Sequence, residues 1–375
     1  MTTHILTAMR KVIALVDRTK LAQVTATLQE ALLQRSVDTR NEVYTARSER
    51  AARNRVAPVP HRPLGEVLRV LRAGRFDPIS SLDDVMPTQH SVVPGGEGTF
   101  SSRVLLGSAR QLDYMLYRPP TVAGRKLSLL LMLHGCTQNP EDFALGTRMN
   151  ELADEFGLIV AYPHQPRSAN SSGCWNWFDS RHQNRGSGEP ALLANLATSL
   201  ASEFEIPPGR TFAAGLSAGG AMSDVIASVY PEVFAAVGIH SGLPHGAAKD
   251  VVSAFGALKN GAVGPGAPGA GNSATRKIVI HGADDKTVHP SNGNMIFAAL
   301  GRDDLHLRQH NTPSAENGDA LTGQALVDAK GGRVAEYWLV PGGGHTWFGG
   351  DARGTYTNPV GPDASRMMIR FFLQE

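Results

Sequence analysis

The pentapeptide Gly215–Gly219 reads G-x-S-x-G and places Ser217 at its centre. It follows the apolar run Thr211–Ala214 and opens an alanine-rich segment with the composition of a helix. On such a strand–turn–helix the serine hydroxyl is exposed at the end of a sheet, because the flanking glycines leave room for a tight turn. We therefore predict that Ser217 is a nucleophile and that the main-chain N–H of Ala218 stabilises an oxyanion. The alternative is an ordinary glycine-rich turn.

A serine hydroxyl attacks a carbonyl only when a base takes its proton, and an acid orients that base. In strand–turn–helix sites of this kind the acid follows the serine in the chain. The run Lys277–Gly282 has the pattern of a late strand, and Asp284 and Asp285 come directly after it. The spacing H-G-x-x-D favours Asp285 as the acid, whereas Asp284 is typical of a solvated turn residue.

The base is expected after the last strand. Val334–Val340 has the pattern of that strand, and three glycines separate it from His345. Glycines allow the loop to bring an imidazole over the nucleophile without steric conflict, so His345 is the predicted base. Of the other histidines that follow the acid, His289 is typical of a surface or pocket residue, and His306 and His310 of a polar loop.

A second oxyanion donor is needed for acyl transfer. The turn after the third predicted strand, Leu133–Gln138, offers the main-chain N–H of Cys136. The Cys136 thiol is a poor nucleophile candidate because no Cys–His–acid order accompanies it. His134 is more typical of a hydrogen-bonded turn residue than of a base. The histidines are scattered without H-E-x-x-H or paired-cysteine spacing, so neither a metal nor a cofactor is predicted.

The segment Gly173–Phe178 is an aromatic cluster that contains Trp175 and Trp177. Aromatic rings beside a site bind apolar or ring-bearing substrates, so we predict that they line the substrate pocket. The alternative is that they fill core space beneath a loop. Cys174 in the same segment could form a disulfide with Cys136, or both could remain free thiols.

From about residue 100 the pattern alternates between strands and helices. It predicts an α/β fold with a mostly parallel, eight-stranded sheet that is covered by helices on both faces. The domain boundaries that follow are an N-terminal extension over 1–95 and a catalytic domain over 96–375. The net charge of +2 gives no reason to expect nucleic acid as a partner. No apolar run approaches the roughly 20 residues of a transmembrane helix.

Residues 1–95 combine amphipathic spacing, an arginine-rich stretch and a proline-rich linker at Ala57–Pro63. The pattern indicates a partly disordered extension with a helix packed on the body, or an arm over residues 1–55 that binds an apolar granule or membrane surface. No signal peptide is visible. The expected location is therefore the cytoplasm, with granule association as an extension of that hypothesis and secretion as the alternative.

Several ordered motifs resemble the polyhydroxybutyrate (PHB) depolymerase family of esterases, and the resemblance covers roughly residues 100–375. The motifs are LHGCTQ (Leu133–Gln138), CWNWF (Cys174–Phe178) with Gly188–Pro190, GLSAGGAM (Gly215–Met222), HSGLPHGAA (His240–Ala248), GGGHTWFGG (Gly342–Gly350) and TNPVGPDASR (Thr357–Arg366). The family implies an α/β-hydrolase fold and the hydrolysis of carboxylic esters by a serine triad.

Carried over residue by residue, the resemblance makes Ser217 the nucleophile, Asp285 the acid and His345 the base. Cys136 matches the oxyanion turn, and Trp347 falls where the family has a substrate-facing aromatic residue. The expected reaction is cleavage of poly- or oligo-(3-hydroxybutyrate) through an acyl-enzyme. A feruloyl or acetyl-xylan esterase with the same triad is an alternative, and a non-catalytic granule-associated protein is an alternative of another class.

Overall fold

The computed structural model describes residues 95–107, 111–120, 126–263, 275–313 and 320–374. The predicted N-terminal extension lies outside the described residues except for residue 95. Most of the glycine-, proline- and alanine-rich stretch Gly261–Thr275 also lies outside them.

One sheet forms the centre of the described residues. Its strands are β1 (Thr99–Leu106), β2 (Gln111–Arg118), β3 (Ser128–Leu133), β4 (Leu158–Pro163), β5 (Thr211–Leu216), β6 (Ala236–His240), β7 (Arg276–Gly282), β8 (His306–Pro313), β9 (Ala320–Val327) and β10 (Arg333–Val340). They lie in the order β1-β2-β4-β3-β5-β6-β7-β10-β9-β8. The strands from β4 to β10 in this order are parallel, and the pairs at both edges are antiparallel.

The α-helices of the described residues are α1 (Pro140–Thr147), α2 (Met149–Phe156), α3 (Gly188–Glu203), α4 (Ala218–Val229), α5 (Val251–Asn260), α6 (Ser291–Ala298) and α7 (Ala364–Leu373). Two short strands, β11 (Trp347–Phe348) and β12 (Thr357–Asn358), pair beside the main sheet. Helices α1 and α2 are separated at Arg148, which adopts a left-handed backbone with φ 54°.

Strand β3 shows how the sheet is covered on both faces. Leu129, Leu131 and Leu133 belong to one apolar core, and Leu130 and Met132 to the other. Successive side chains of a strand point to opposite faces. Helices α3 to α6 contribute to the first core, and α1, α2 and α7 to the second. The predicted two-sided packing is therefore confirmed.

The predicted sheet lacked β8 and β9. The sequence of β8, His306–Pro313, is polar and contains no apolar run. This strand lies at the edge of the sheet, where side chains such as that of Leu307 meet solvent, so it lacks the apolar pattern by which a buried strand is recognised. His306 and His310 therefore lie on an edge strand rather than in the predicted loop. The main sheet of the described residues thus has ten strands rather than the predicted eight, and β1 and β2 form an antiparallel hairpin at its edge.

The turn between β5 and α4 lies against the end of β3 with no space for side chains. A Cβ atom at Gly219 would lie 2.0 Å from the carbonyl oxygen of Leu133, and one at Gly215 would lie 2.3 Å from the carbonyl carbon of Gly219. Both distances are far below van der Waals contact. The two glycines of the pentapeptide therefore allow α4 to begin directly over the end of β3.

We expect Gly219→Ala to lower the free energy of unfolding by about 1–3 kcal/mol, because the added methyl group must displace main-chain atoms of β3. Denaturant unfolding of the purified protein measures this change. Gly256→Ala in α5 is the matched control, since a Cβ there meets no atom within 4 Å. The control should leave stability unchanged or raise it by up to about 1 kcal/mol; equal effects from both substitutions would contradict the steric argument.

Candidate active site

Ser217 occupies the sharp turn between β5 and α4. Its backbone has φ 58° and ψ −117°, a conformation that costs a residue with a side chain on the order of 1–3 kcal/mol. The main-chain N–H of Ser217 donates to the carbonyl oxygen of His240 at the end of β6, at 2.8 Å. The strained turn is thus fixed by the neighbouring parallel strand. The half-buried hydroxyl forms no hydrogen bond within the described residues.

Asp285 and His345 are in direct contact. The Nδ1 atom of His345 lies 2.7 Å from Oδ2 of Asp285, and Oδ1 of the carboxylate accepts from the main-chain N–H groups of Thr287 and Val288. Burial acts to raise the pKa of the Asp285 carboxyl, but the imidazoles of His345 and His281 outweigh it and hold that pKa well below its usual range. Asp285 is therefore ionised at neutral pH and orients the imidazole so that Nε2 is free.

The loops that carry the acid and the base follow two adjacent parallel strands, β7 and β10. The main-chain N–H of Ala283 donates to Val340, and that of Asp284 donates to Gly343, both at 2.9 Å. The side chain of Asp284 points to solvent, whereas that of Asp285 is fully buried. The geometry therefore agrees with the choice of Asp285 over Asp284.

His240 lies between the nucleophile turn and the loop of the base. Its carbonyl oxygen holds Ser217, and its ring stacks on Trp347 with centroids 4.9 Å apart. Burial lowers the pKa of His240, and the nearby imidazoles of His281 and His345 lower it further, so this imidazole is neutral. No hydrogen bond joins the Ser217 hydroxyl to the His345 imidazole among the described residues. Such contacts are often long before substrate binds and tighten in the complex.

The two predicted oxyanion donors are main-chain N–H groups that are free to donate a hydrogen bond. Within the described residues, neither the N–H of Cys136 nor that of Ala218 has a hydrogen-bond acceptor. The turn that carries Cys136 touches the nucleophile turn, since a Cβ at Gly219 would lie 2.8 Å from the carbonyl oxygen of His134. Gln138 closes the turn by accepting from the N–H of Gly135 at 2.9 Å. Two free donors therefore lie on neighbouring turns beside Ser217.

A second segment braces this turn. Cys136 and Cys174 form a disulfide, which resolves the alternative that the sequence left open. The indole N–H of Trp175 donates to the carbonyl oxygen of His134 at 3.2 Å, and the N–H of Thr137 donates to Ser172 at 2.8 Å. The turn of Cys136 is thus held by a covalent bond, by the indole of Trp175 and by a main-chain hydrogen bond.

His134 is buried and its two ring nitrogens have different partners. Nδ1 donates to the carbonyl oxygen of Gly135 at 2.8 Å, and Nε2 accepts from the main-chain N–H of Gln165 at 3.2 Å. Only a neutral ring can do both. Burial lowers the pKa of His134 to about 4. The structure therefore supports a turn residue rather than a base.

The predicted substrate-binding role of the three tryptophans requires correction. Trp175, Trp177 and Trp347 are all at most 5% exposed, so they have almost no ring surface to offer a substrate. Trp347 packs edge-on to Phe143 and donates its indole N–H to Ser365. The polar N–H of a buried indole needs a partner. Trp175 and Trp347 contact His134 and His240 beneath the site, and Trp177 packs on Phe178 in the core.

A surface cleft of about 240 Å³ borders the acid turn. Asp284, Lys286 and His289 contribute to its lining together with Asp285, whereas Ser217 and His345 do not. His289 is thus exposed in a cleft, in agreement with its prediction. In the described parts of the chain, no group of three or more His, Cys, Asp or Glu side chains could hold a metal ion.

Sequence reasoning missed His240 and Gln165 as parts of the site. His240 ends an apolar strand-like run, and a polar residue at that position was the available signal. Gln165 offered no such signal, because its hydrogen-bond partners His134, Cys174 and Glu189 are brought next to it only by the fold.

The comparison with known families agrees with this geometry. Residues 112–299 match the family described as "Esterase PHB depolymerase". The chain belongs to the PHB depolymerase family of esterases. The matched range contains Ser217 and Asp285 and ends before His345.

This member of the PHB depolymerase family has curated relatives with two kinds of substrate in their names. It is 33% identical over 176 residues to "Poly(3-hydroxyalkanoate) depolymerase C" of Paucimonas lemoignei, covering 44% of this chain and 42% of the relative. It is 27% identical over 227 residues to "Probable acetylxylan esterase A" of Aspergillus fumigatus, covering 54% and 60%. The chain spans about half the length of these relatives.

Among solved structures, the family member resembles "Acetyl xylan esterase from Aspergillus awamori", with a TM-score of 0.56 at 19% identity. The match covers 74% of this chain and 100% of that structure. At this level of identity the likeness concerns the fold. Together with the mostly parallel sheet, it confirms the predicted α/β-hydrolase fold. Within the described residues no helix has the length and apolar character needed to cross a membrane.

His134 makes the stability of the fold dependent on pH. The unfolded chain binds a proton near pH 6.5, whereas the folded imidazole resists it down to about pH 4. The unfolded state therefore gains protons first, and stability falls as the pH drops through this window. We expect a loss of about 2 kcal/mol from His134 between pH 7 and 4.5, with a contribution of the same sign from buried His240 and His245.

Denaturant unfolding at pH 7 and at pH 4.5 measures this loss. His134→Asn should be less stable at pH 7 but should lose less stability on acidification than the wild type. Exposed His289 provides the control, because His289→Asn should keep the wild-type dependence of the free energy of unfolding on pH. If His134→Asn kept that pH dependence as well, His134 would not be the responsible group.

Proposed function

We propose that this chain is a serine hydrolase of carboxylic esters that works through an acyl-enzyme. The observation that carries the proposal is the 2.7 Å contact between His345 and the buried Asp285, formed at the edge of the sheet where Ser217 lies on its strained turn. An ionised acid, an oriented imidazole and a serine hydroxyl free of other hydrogen bonds are the groups that nucleophilic acyl transfer requires.

In this mechanism the Ser217 hydroxyl attacks the ester carbonyl while Nε2 of His345 accepts its proton. Asp285 stabilises the imidazolium that results. The N–H groups of Cys136 and Ala218, which have no acceptor among the described residues, donate to the tetrahedral oxyanion. His345 then protonates the leaving alcohol, and a water molecule activated by the same imidazole releases the acid and restores Ser217.

For the substrate we favour poly- or oligo-(3-hydroxybutyrate), because the family description names PHB and the Paucimonas lemoignei relative is named for the wider class of poly(3-hydroxyalkanoates). A feruloyl or acetyl-xylan esterase is the second candidate, since the acetylxylan esterase relative aligns over a longer part of the chain. Turnover of hydroxybutyrate oligomers, amorphous polymer and aryl or acetyl esters of sugars, measured side by side, separates the two.

The location in the cell is a related proposal. The sequence favoured the cytoplasm, with secretion as the alternative. Cys136 and Cys174 are joined in a disulfide, and disulfides persist mainly in oxidising compartments. We therefore favour secretion over a reducing cytoplasm. A thiol count on protein taken directly from cells and from the medium distinguishes the two.

Ser217→Ala should lower ester turnover by on the order of 10⁴-fold, because the nucleophile is removed while the packing is kept. An organophosphonate should label Ser217 in the wild type and leave the variant unmodified. Ser202→Ala on the exposed side of α3 is the control and should retain wild-type turnover. Absence of labelling in the folded wild type would favour the non-catalytic granule-associated alternative.

The arm over residues 1–55 lies outside the described residues, so its role rests on amphipathic spacing and arginine content alone. We propose that it attaches the protein to the polymer surface, which is a storage granule if the protein stays in the cytoplasm and released polymer if it is secreted. Deletion of residues 1–90 should abolish co-sedimentation with amorphous polymer while turnover of a soluble ester is retained. Unchanged sedimentation of the deleted protein would dispose of this hypothesis.

A further inference from the structure

Glu189 carries a fully buried carboxylate that the proposed mechanism does not use. It lies in the first turn of α3, and its side chain has no exposed surface. Three hydrogen bonds reach it: from Nε2 of Gln165 at 2.5 Å, from the main-chain N–H of Asn176 at 2.7 Å and from Nδ2 of Asn176 at 2.6 Å. A buried carboxylate is retained only when it is well satisfied, and both oxygens of Glu189 are.

The nearest cation candidate does not neutralise this carboxylate. Nδ1 of His182 lies 3.7 Å from Glu189, but the same nitrogen accepts from the main-chain N–H of Glu189 at 3.1 Å. A nitrogen that accepts a hydrogen bond carries no proton to share. The negative charge is therefore balanced by neutral donors and by the N-terminus of α3, where the helix dipole favours an anion. Such an arrangement fixes the donors in place.

The donors of Glu189 lead directly to the oxyanion turn. Gln165 also donates from Nε2 to the carbonyl oxygen of Cys174 at 3.0 Å, and from its main-chain N–H to the ring of His134. Asn176 immediately follows Trp175, whose indole N–H holds the carbonyl oxygen of His134. Glu189 therefore anchors the segment that contacts the turn at four places, namely the disulfide, the two contacts to His134 and the hydrogen bond from Thr137 to Ser172.

We propose that Glu189 is a positioning residue for the oxyanion site. It fixes the segment from Gln165 to Asn176, and that segment fixes the turn so that the N–H of Cys136 points at the developing oxyanion. The inference rests on the proposed function and assigns Glu189 no contact with substrate. Its effect falls on the transition state, because a displaced donor weakens oxyanion binding more than substrate binding.

The substitution Glu189→Gln tests this role. A carboxamide has one oxygen, so it cannot accept on both sides, and its NH₂ group faces Gln165 or Asn176 donor to donor. We expect kcat on a soluble aryl ester to fall by about 10²-fold, with KM within about threefold of the wild type. Glu203→Gln at the other end of α3 is the matched control, because that carboxylate is exposed and pairs with Arg103. The control should keep the wild-type kcat.

A thionoester substrate separates positioning from a general loss of structure. Sulfur is a poor hydrogen-bond acceptor, so an intact oxyanion site favours the oxygen ester over its thiono analogue. We expect Glu189→Gln to lower the ratio of kcat/KM for the oxygen ester to kcat/KM for the thionoester by at least tenfold. Glu203→Gln should keep the wild-type ratio. A wild-type kcat in Glu189→Gln, or an equal loss on both substrates, would overturn the proposal.

Asn176→Ala provides a second variant should Glu189→Gln not fold. It removes the side-chain donor but keeps the main-chain N–H, so a smaller loss of kcat with the same direction of change in the thionoester ratio is expected. An unchanged ratio in this variant would also overturn the proposal. A folded wild type without ester turnover would overturn the proposed function and this inference with it, whereas an active wild type confines any failure to Glu189.

Discussion

The close approach of α4 to the end of β3 is the constraint on which the site depends. With no atom beyond Cα at Gly219, the first turn of the helix touches the carbonyl oxygens of Leu133 and His134. This contact places the N–H of Ala218 beside the turn of Cys136 and leaves the hydroxyl of Ser217 at the edge of the sheet. A larger residue would separate the two donors, and no rearrangement of side chains could bring them back together.

The second half of the site follows from strand order. Because β7 and β10 are parallel neighbours, the loops after them leave the sheet side by side, and main-chain bonds from Ala283 and Asp284 tie them together. The contact between Asp285 and His345 is then short without any long excursion of the chain. His240, which ends β6 between the two halves, joins them through its carbonyl oxygen and its ring.

The sequence alone predicted those features of the site that depend on a local main-chain turn. The glycines around Ser217, the turn after Lys277–Gly282 and the glycines before His345 each have a local signature, and so each could be identified. The tryptophans could not be placed in this way, because a ring in a loop looks the same whether it faces a ligand or a distant carbonyl oxygen. The edge strand β8 was missed because its side chains meet solvent and lack the apolar pattern of the inner strands.

The disulfide between Cys136 and Cys174 has a second effect, on the unfolded chain. It closes a loop of 38 residues, and loss of conformational entropy in a loop of that length favours the folded state by about 4 kcal/mol. The loop contains α1, α2 and β4, so the bond restricts the segment that brings β4 back beside β3. A reducing medium would thus lower the stability of the folded state and loosen the oxyanion turn at the same time. The lifetime of the active protein would therefore depend on the redox state of its surroundings.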